Sequence, residues 1–241
     1  MLPAWRQSAL VRARTLVSAW TRRFGFDVTR FDRGKLIAHH QISVVFDVGA
    51  NLGQYAAELR AVGYRGRIIS CEPLGDALAR LAQRAAADPG WVALHCALGE
   101  SDGRRTINVA ANSQSSSLLE MMPRHVEAAP HSTYQGVEEV QVCRLDTIFD
   151  QHVRADDRVF LKLDVQGYER MVLAGAQASL PRLQGVQLEM SLVPLYRGEA
   201  PYTDLIAQMT GHGFQLMSVE PVFRDPRSGQ LLAMDGIFFR S

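Results

Sequence analysis

Four acidic side chains lie in or just after apolar, strand-like runs of this 241-residue chain, where carboxylates can do chemistry. They are Asp47 in VVFDVGANLGQY (residues 44–55), Glu72 in IISCEP, Asp164 in FLKLDVQGYE and Glu189 in GVQLEMS. A carboxylate accepts hydrogen bonds from hydroxyl groups, pairs with an ammonium, or takes a proton from a reacting group. If these runs are parallel strands of one sheet, their carboxyl ends share one edge, and we expect the four acids to converge there.

The first run continues into a glycine loop, in which Gly49 and Gly53 flank Asn51. Glycine permits a sharp turn and a close approach to a ligand, and amides at the start of a following helix can donate hydrogen bonds. A dinucleotide fingerprint would read G-x-G-x-x-G. The loop reads G-A-N-L-G, and Asp47 would repel a phosphate but attract an ammonium. S-adenosylmethionine carries such an ammonium and no phosphate, so the pattern favours this ligand.

Two further segments are placed to contact an adenosine. Glu72 ends the second predicted strand, where an acid can accept both ribose hydroxyls of NAD or of S-adenosylmethionine. Ala97 and Leu98 end the third predicted strand, where a backbone amide and an apolar side chain could hold an adenine ring. Glu72 could instead cap the helix that follows Pro73.

Charged side chains also lie inside the fourth predicted strand, which should be buried on both faces. Lys162 and Asp164 alternate with apolar residues there, and buried charges are costly unless paired or functional. We predict Asp164, Glu189 and Lys162 as catalytic residues. Lys162 could instead be a structural partner of Asp164 or Glu169. His125 and His131 are further candidate bases. The two acids could bind a divalent cation, but no acidic cluster demands one, and we assign no metal.

The elements that must position these residues alternate between strand and helix. Predicted strands lie at residues 44–48, 67–71, 92–97, 159–165, 185–190, 214–223 and 230–240, and predicted helices at 55–62, 76–87, 168–180 and 202–212. The alternation is typical of a parallel sheet with helices on both faces, and the short turn at 225–229 makes the last two strands antiparallel. We therefore predict an α/β, Rossmann-like three-layer sandwich with a seven-stranded, mostly parallel sheet and an antiparallel last strand, as in class I methyltransferases.

Composition excludes several classes of protein. The 26 basic and 25 acidic side chains give a net charge of +1, so no overall field attracts nucleic acid, and we expect no such partner. The 47% hydrophobic content suits a single core. Three cysteines lack the close spacing of a zinc or redox motif and suit a reducing cytoplasm, where we expect the protein to reside.

The first 40 residues differ from the rest, and we predict a basic helical extension at 1–40 and a single domain at 41–241. Residues 1–35 carry eight basic and two acidic side chains, a net charge of 8 − 2 = +6. Arginines interrupt the apolar stretches, so the extension is neither a signal peptide nor a ~20-residue membrane span. Its apolar stripe could dock on the domain or rest on an anionic membrane surface.

Residues 101–136 are predicted to be the least regular region. They are polar and contain Pro123 and Pro130. A long insertion beyond the third strand is either a substrate lid or a disordered surface loop.

Taken together, these motifs resemble the FkbM-type methyltransferases, which are S-adenosylmethionine-dependent enzymes with a class I fold. The matching segments run in family order over about residues 44–198: FDVGANLGQY, CEP, CALGE, SSSL, CRLDT, FLKLDVQGYE, VLAGA and LEMSLVPLYRG. The resemblance implies methyl transfer to oxygen, often on sugars or hydroxylated natural products. It also implies a methyl-donor site at Asp47, Gly49, Asn51, Gly53, Glu72 and Asp164. Residues 1–40 and most of 120–136 lie outside the pattern, and we expect acceptor choice to reside there.

Our leading hypothesis is therefore an O-methyltransferase acting on a sugar, a glycolipid or a hydroxylated natural product. An NAD-dependent oxidoreductase shares the Glu72 argument but lacks the dinucleotide fingerprint, and the final hairpin disfavours it. A non-catalytic nucleotide-binding module would bind the donor without turnover.

Overall fold

The computed structural model describes residues 33–240 of the chain. The basic helical extension was predicted over residues 1–40, and its residues 1–32, with the predicted docking or membrane contact, lie outside the described residues. Residues 37–241 form one unit and residues 1–36 another, and the domain division at residue 40 stays a prediction. Within residues 33–240, no helix is long and apolar enough to cross a membrane.

Ten strands and seven helices make up the described part of the chain. The strands are β1 (Val44–Val48), β2 (Arg67–Cys71), β3 (Trp91–Leu94), β4 (Ala97–Leu98), β5 (Gly103–Ala110), β6 (Tyr134–Cys143), β7 (Val159–Leu163), β8 (Leu183–Ser191), β9 (Phe214–Arg224) and β10 (Leu231–Arg240). The helices are α1 (Arg33–His39), α2 (Gln54–Ala61), α3 (Gly75–Ala85), α4 (Pro123–Ala128), α5 (Leu145–His152), α6 (Glu169–Ala174) and α7 (Tyr202–Gly211). Short 3-10 turns lie at Ser113–Ser115, Pro130–Ser132 and Leu180–Arg182.

Seven of the strands form the main sheet in the order β3-β2-β1-β7-β8-β10-β9. The neighbouring strands β3, β2, β1, β7 and β8 are parallel to one another, whereas β10 runs antiparallel to both β8 and β9. Every residue of β1 and β7 is buried, as expected for central strands covered on both faces. The predicted α/β fold, with its antiparallel last strand, is confirmed.

The strand order determines where the predicted site forms. The chain passes from β1 outward to β2 and β3, and then returns to place β7 on the other side of β1. In such open sheets, ligands bind outside the carboxyl ends of the strands, where the order reverses. The ends of β1, β2, β7 and β8 therefore meet at the edge to which the sequence assigned the four acids.

A second, three-stranded sheet in the order β4-β6-β5 corrects two predictions. The third strand of the main sheet ends at Leu94, and Ala97 and Leu98 belong to the small sheet. Residues 101–136, predicted to be the least regular region, contain β5, α4 and the beginning of β6. The two long strands of the small sheet expose much of their surface, so their sequences lack the continuous apolar runs that marked the buried strands.

The helix predicted over residues 168–180 is also shorter than expected. Helix α6 ends at Ala174, and Gly175 follows it. A β-carbon at Gly175 would lie 2.0 Å from the carbonyl oxygen of Gly99. The chain leaves the helix where it passes close to the segment after β4, a tertiary contact that helical periodicity does not record.

Candidate functional site

A row of polar side chains crosses the centre of the main sheet. Laterally paired residues of parallel strands present their side chains to the same face. The register of β2, β1, β7 and β8 places four such residues side by side, all of them buried: Ser70, Asp47, Lys162 and Gln187. Polar residues this deep in a sheet need partners within the protein.

Lys162 is the cation of this row. Its Nζ lies 3.1 Å from Oδ1 of Asp47 and 3.3 Å from Oδ2 of Asp164, and 5.3 Å from the centre of the Tyr55 ring. Burial lowers the pKa of Lys162, but the carboxylates of Asp47 and Asp164 outweigh burial and raise that pKa above its usual value. A lysine held protonated cannot take up a further proton, which favours the structural alternative over catalysis.

Asp47 is fully buried and pairs mainly with this lysine. The Ser70 hydroxyl also donates to Oδ2 of Asp47 over 3.3 Å. Because Lys162 balances its charge, Asp47 repels a phosphate and attracts an ammonium less strongly than the sequence alone suggests. The attraction of a ligand ammonium by Asp47 stays a prediction.

The two glycines of the loop after β1 serve contacts within the protein. Gly49 has φ +74°, and a β-carbon there would lie 1.8 Å from the carbonyl oxygen of Asp164. Gly53 has φ +79°, and its β-carbon would lie 2.7 Å from the Trp91 ring. The Gly49 N–H donates to the Cys71 carbonyl over 3.1 Å. The loop is therefore fixed between β2 and β7, with both glycines required by close approach.

The Glu72 carboxylate accepts two backbone hydrogen bonds, one of them from Asn51 of the glycine loop. The Asn51 N–H donates to Oε2 of Glu72 over 2.7 Å, and the Leu74 N–H donates to Oε1 over 2.9 Å. Burial raises the pKa of Glu72 to about 7, although both N–H donors lower it. Each carboxylate oxygen keeps a further lone pair to which a hydroxyl could donate a hydrogen bond. Glu72 thus has the acceptor capacity that a ribose diol requires.

Ala97 and Leu98 do not lie at the end of the third strand of the main sheet, which ends at Leu94. Both are buried in β4, next to the end of β6. The following amide, the Gly99 N–H, donates to the Cys143 carbonyl over 3.0 Å. The adenine contact assigned to Ala97 and Leu98 stays a prediction.

Asp164 and Glu189 meet at one side-chain amide. Nε2 of Gln166 donates to Oδ1 of Asp164 over 2.8 Å and to Oε2 of Glu189 over 2.5 Å. Oε1 of Gln166 accepts a hydrogen bond from the Tyr196 hydroxyl over 2.6 Å. Burial, together with the neighbouring Asp164, raises the pKa of Glu189 well above its usual value. The two acids predicted to be catalytic are thus brought together.

Sequence reasoning gave neither Gln166 nor Tyr196 a role in the site. Both residues lie in segments that carry the family resemblance, FLKLDVQGYE and LEMSLVPLYRG. A tyrosine in an apolar, proline-containing stretch offers no sign that its hydroxyl reaches a distant glutamine. The resemblance of these two segments to the FkbM-type pattern was the one sequence feature that pointed to Gln166 and Tyr196.

Residues 113–136 form a wall of this site and not a disordered loop. The Ser117 hydroxyl donates to the Gln166 carbonyl over 2.7 Å, and Asn51 donates to the Ser113 hydroxyl over 2.9 Å. His125 is buried against the Tyr196 ring, with centroids 5.2 Å apart, and burial lowers its pKa to about 4. His131 is exposed. Neither histidine has a described hydrogen bond to Asp164 or Glu189.

Metal ligands do not gather in the described part of the chain. Within residues 33–240, no three His, Cys, Asp or Glu side chains form a group that could hold a metal ion.

Comparison with known proteins identifies the family. A sequence model of the methyltransferase FkbM domain matches residues 47–216, which is more than half of the chain and includes the carboxyl ends of β1, β2, β7 and β8. The chain belongs to the FkbM methyltransferase family. The resemblance drawn from the motifs is thus confirmed. No curated protein sequence matches the chain.

Solved structures with related folds are distant in sequence. The methyltransferase FkbM from Methylobacillus flagellatus is 17% identical, with a TM-score of 0.47, and the match covers 81% of this chain but 43% of that protein. Burkholderia thailandensis 1,6-didemethyltoxoflavin-N1-methyltransferase, solved with S-adenosylhomocysteine, is 13% identical over 100% of this chain and 92% of its own, with a TM-score of 0.43. An rRNA methylase from Streptococcus thermophilus is 11% identical over 83% and 87% of the two chains, with a TM-score of 0.41. This FkbM-family chain therefore spans less than half of the M. flagellatus protein.

Proposed function

We propose that this FkbM-family protein is an S-adenosylmethionine-dependent O-methyltransferase whose acceptor is a sugar, a glycolipid or a hydroxylated natural product. The observation that carries the proposal is the pair of carboxylates, Asp164 and Glu189, held by Gln166 at the sheet edge beside Glu72 and the glycine loop. Glu189 is partly buried and its pKa is raised, so its carboxylate is suited to take a proton from an acceptor hydroxyl.

The donor fits the groups at the ends of β1 and β2. When bound, S-adenosylmethionine supplies an electrophilic methyl group. Glu72 has lone pairs for the ribose hydroxyls, and Asn51 orients Glu72 through its backbone N–H. The residues that we assign to the donor site are Asp47, Gly49, Asn51, Gly53, Glu72, Ala97, Leu98 and Asp164. Lys162 then acts as a positioning residue, because its ammonium contacts both Asp47 and Asp164.

The acceptor side of the site is acidic. Glu189 lies beside Asp164, and the carboxylates of Glu169 and Asp235 also raise its pKa. The net charge of +1 creates no overall field that attracts a nucleic acid, which supports an uncharged hydroxylated acceptor. We assign Glu189 as the general base, with Asp164 as its neighbouring carboxylate.

Donor binding is tested by calorimetry with S-adenosylhomocysteine. Glu72→Gln should weaken binding by about 10- to 100-fold, since it removes the charge from hydrogen bonds worth about 1.5–3 kcal/mol. With a pKa of about 7, Glu72 becomes ionised as pH rises, so wild-type affinity should increase between about pH 6 and about pH 8. The variant should lack this increase.

Glu139→Gln is the matched control for donor binding, because Glu139 is exposed on β6. Its affinity and pH dependence should equal those of the wild type. A wild-type protein that does not bind S-adenosylhomocysteine would contradict the proposed function. Preferential binding of NAD would support the oxidoreductase alternative.

Glu189→Gln should reduce methyl transfer by about 10²- to 10⁴-fold and leave S-adenosylhomocysteine affinity unchanged, because it removes a general base and not a donor contact. The measurement is the mass gain of one methyl group across a panel of sugars, glycolipids and hydroxylated natural products. Donor binding with no transfer to any acceptor would favour the non-catalytic module. Full activity in Glu189→Gln would place the base elsewhere.

A further inference from the structure

We infer that Gln166 is a positioning residue that holds the carboxylates of Asp164 and Glu189 in one arrangement, supported by a hydrogen bond from Tyr196 to its amide oxygen. The catalytic consequence of this inference rests on the proposed function. The hydrogen-bonded arrangement itself is a property of the protein without substrate and can be measured there.

The hydrogen-bonding capacity of the Gln166 side chain is matched to its three partners. Its two amide hydrogens go to Asp164 and Glu189, at 2.8 and 2.5 Å, and its oxygen receives the Tyr196 hydroxyl at 2.6 Å. A rotated amide would place its oxygen against two carboxylates, which accept hydrogen bonds and cannot donate when ionised. The partners therefore permit one orientation, and that orientation joins the turn after β7 to β8 and to the loop that follows β8.

The backbone of Gln166 is a second, independent observation. Its φ is +55°, in the left-handed region that residues with a β-carbon seldom adopt. The Ser117 hydroxyl holds the Gln166 carbonyl at 2.7 Å, and Gly167 follows with φ +91°. A glycine at position 166 would adopt this conformation without strain. The position nevertheless holds glutamine in this strained conformation. This indicates that the site requires the side chain, which joins the two acids.

The charges around Glu189 explain why a bridging donor is needed. Asp164 faces Glu189 from the turn after β7, Glu169 from α6 and Asp235 from β10, and the Tyr196 phenol approaches from the loop after β8. These three carboxylates and burial all disfavour ionised Glu189. The amide of Gln166 opposes them because its N–H group stabilises the ionised form of Glu189. Removing the amide should therefore raise the pKa of Glu189 further.

The test is a ¹³C NMR titration of the side-chain carboxyl groups in the free, full-length protein. Gln166→Leu should raise the pKa of Glu189 by about one unit relative to the wild type. Gln41→Leu is the matched control, because Gln41 also has a left-handed backbone (φ +52°) but is exposed outside the site. This control should leave the titration of Glu189 unchanged. Once an acceptor is known, the pKa that governs the acid limb of the kcat–pH profile should rise by the same amount in Gln166→Leu.

Tyr196→Phe provides a second test that does not depend on the folding of Gln166→Leu. It removes the donor to the Gln166 oxygen, so the Gln166 NH₂ resonances should move and the pKa of Glu189 should rise by a smaller amount. An unchanged Glu189 titration in whichever of these variants folds overturns the inference. Calorimetry with S-adenosylhomocysteine on the same samples separates the two proposals: a wild type that fails to bind contradicts the proposed function and leaves the titration result standing.

Discussion

Replacing Lys162 with methionine should lower the free energy of unfolding by about 3–5 kcal/mol, the cost of leaving a buried charge without its partner. Asp47 is fully buried, and its principal counter-charge is the Lys162 ammonium 3.1 Å away. Methionine keeps most of the side-chain volume, so the loss would report charge and not packing. Chemical denaturation followed by circular dichroism measures it.

The double variant Asp47→Asn/Lys162→Met is the decisive control. It removes both charges and should recover most of the stability lost in Lys162→Met. Arg104→Met removes the cation of an exposed pair with Glu139 and should cost no more than about 1 kcal/mol. A Lys162→Met protein as stable as the wild type, or a double variant less stable than the single one, would contradict the buried pair.

The pH dependence of the Lys162 contribution follows from the direction of its pKa shift. Its folded-state pKa is raised above the usual 10.5, so the ion pair stabilises the fold fully below the unfolded-state pKa. The contribution is lost only as pH rises through the folded-state pKa. Between about pH 6 and about pH 9, the difference between wild type and Lys162→Met from this group should therefore stay constant.

Gly49→Ala should destabilise the protein by more than about 4 kcal/mol or prevent folding, because the added β-carbon would lie 1.8 Å from the Asp164 carbonyl oxygen. Backbone cannot move aside as a flexible side chain can, so β1 and β7 would have to separate. That movement would also displace Asn51 from Glu72, and S-adenosylhomocysteine binding should be lost in any folded fraction. Thermal unfolding and calorimetry measure the two effects.

Gly63→Ala is the matched control for Gly49→Ala. Gly63 has φ +96°, and a β-carbon there would meet no atom within 4 Å. It should cost about 1–2 kcal/mol, the penalty of a left-handed backbone alone. Equal losses in the two variants would show that the contact between Gly49 and Asp164 is not what requires a glycine in the loop.

The main sheet was predictable because its central strands are buried on both faces. The runs at 44–48 and 67–71 coincide with β1 and β2, and the turn before Leu231–Arg240 correctly indicated an antiparallel last strand. The small sheet was missed because β5 and β6 face solvent over most of their length, which leaves a polar sequence without a continuous apolar signal. The prediction made helix α6 too long because the helix ends where Gly175 passes close to Gly99, which follows β4 and is distant along the chain.

The partners of Lys162 were also predictable only in part from the sequence. From the sequence, Lys162 had a nearby carboxylate such as Asp164 as its expected structural partner. The structure adds Asp47 as the closer one, because β1 lies directly beside β7 and the register sets Asp47 against Lys162. Separation along the chain carries no information about such a contact, since strand order brings the two residues together.

The sequence by itself determined the family, the parallel sheet and the delivery of Asp47, Glu72, Asp164 and Glu189 to one edge. Burial, periodicity and short turns are local properties that residue types encode directly. Only the tertiary structure decided that the Gln166 side chain donates to two of those acids and accepts a hydrogen bond from Tyr196. Those hydrogen bonds depend on ångström-scale distances between separate elements, which are set by how β7, β8 and the following loop pack and not by the residues of any one of them.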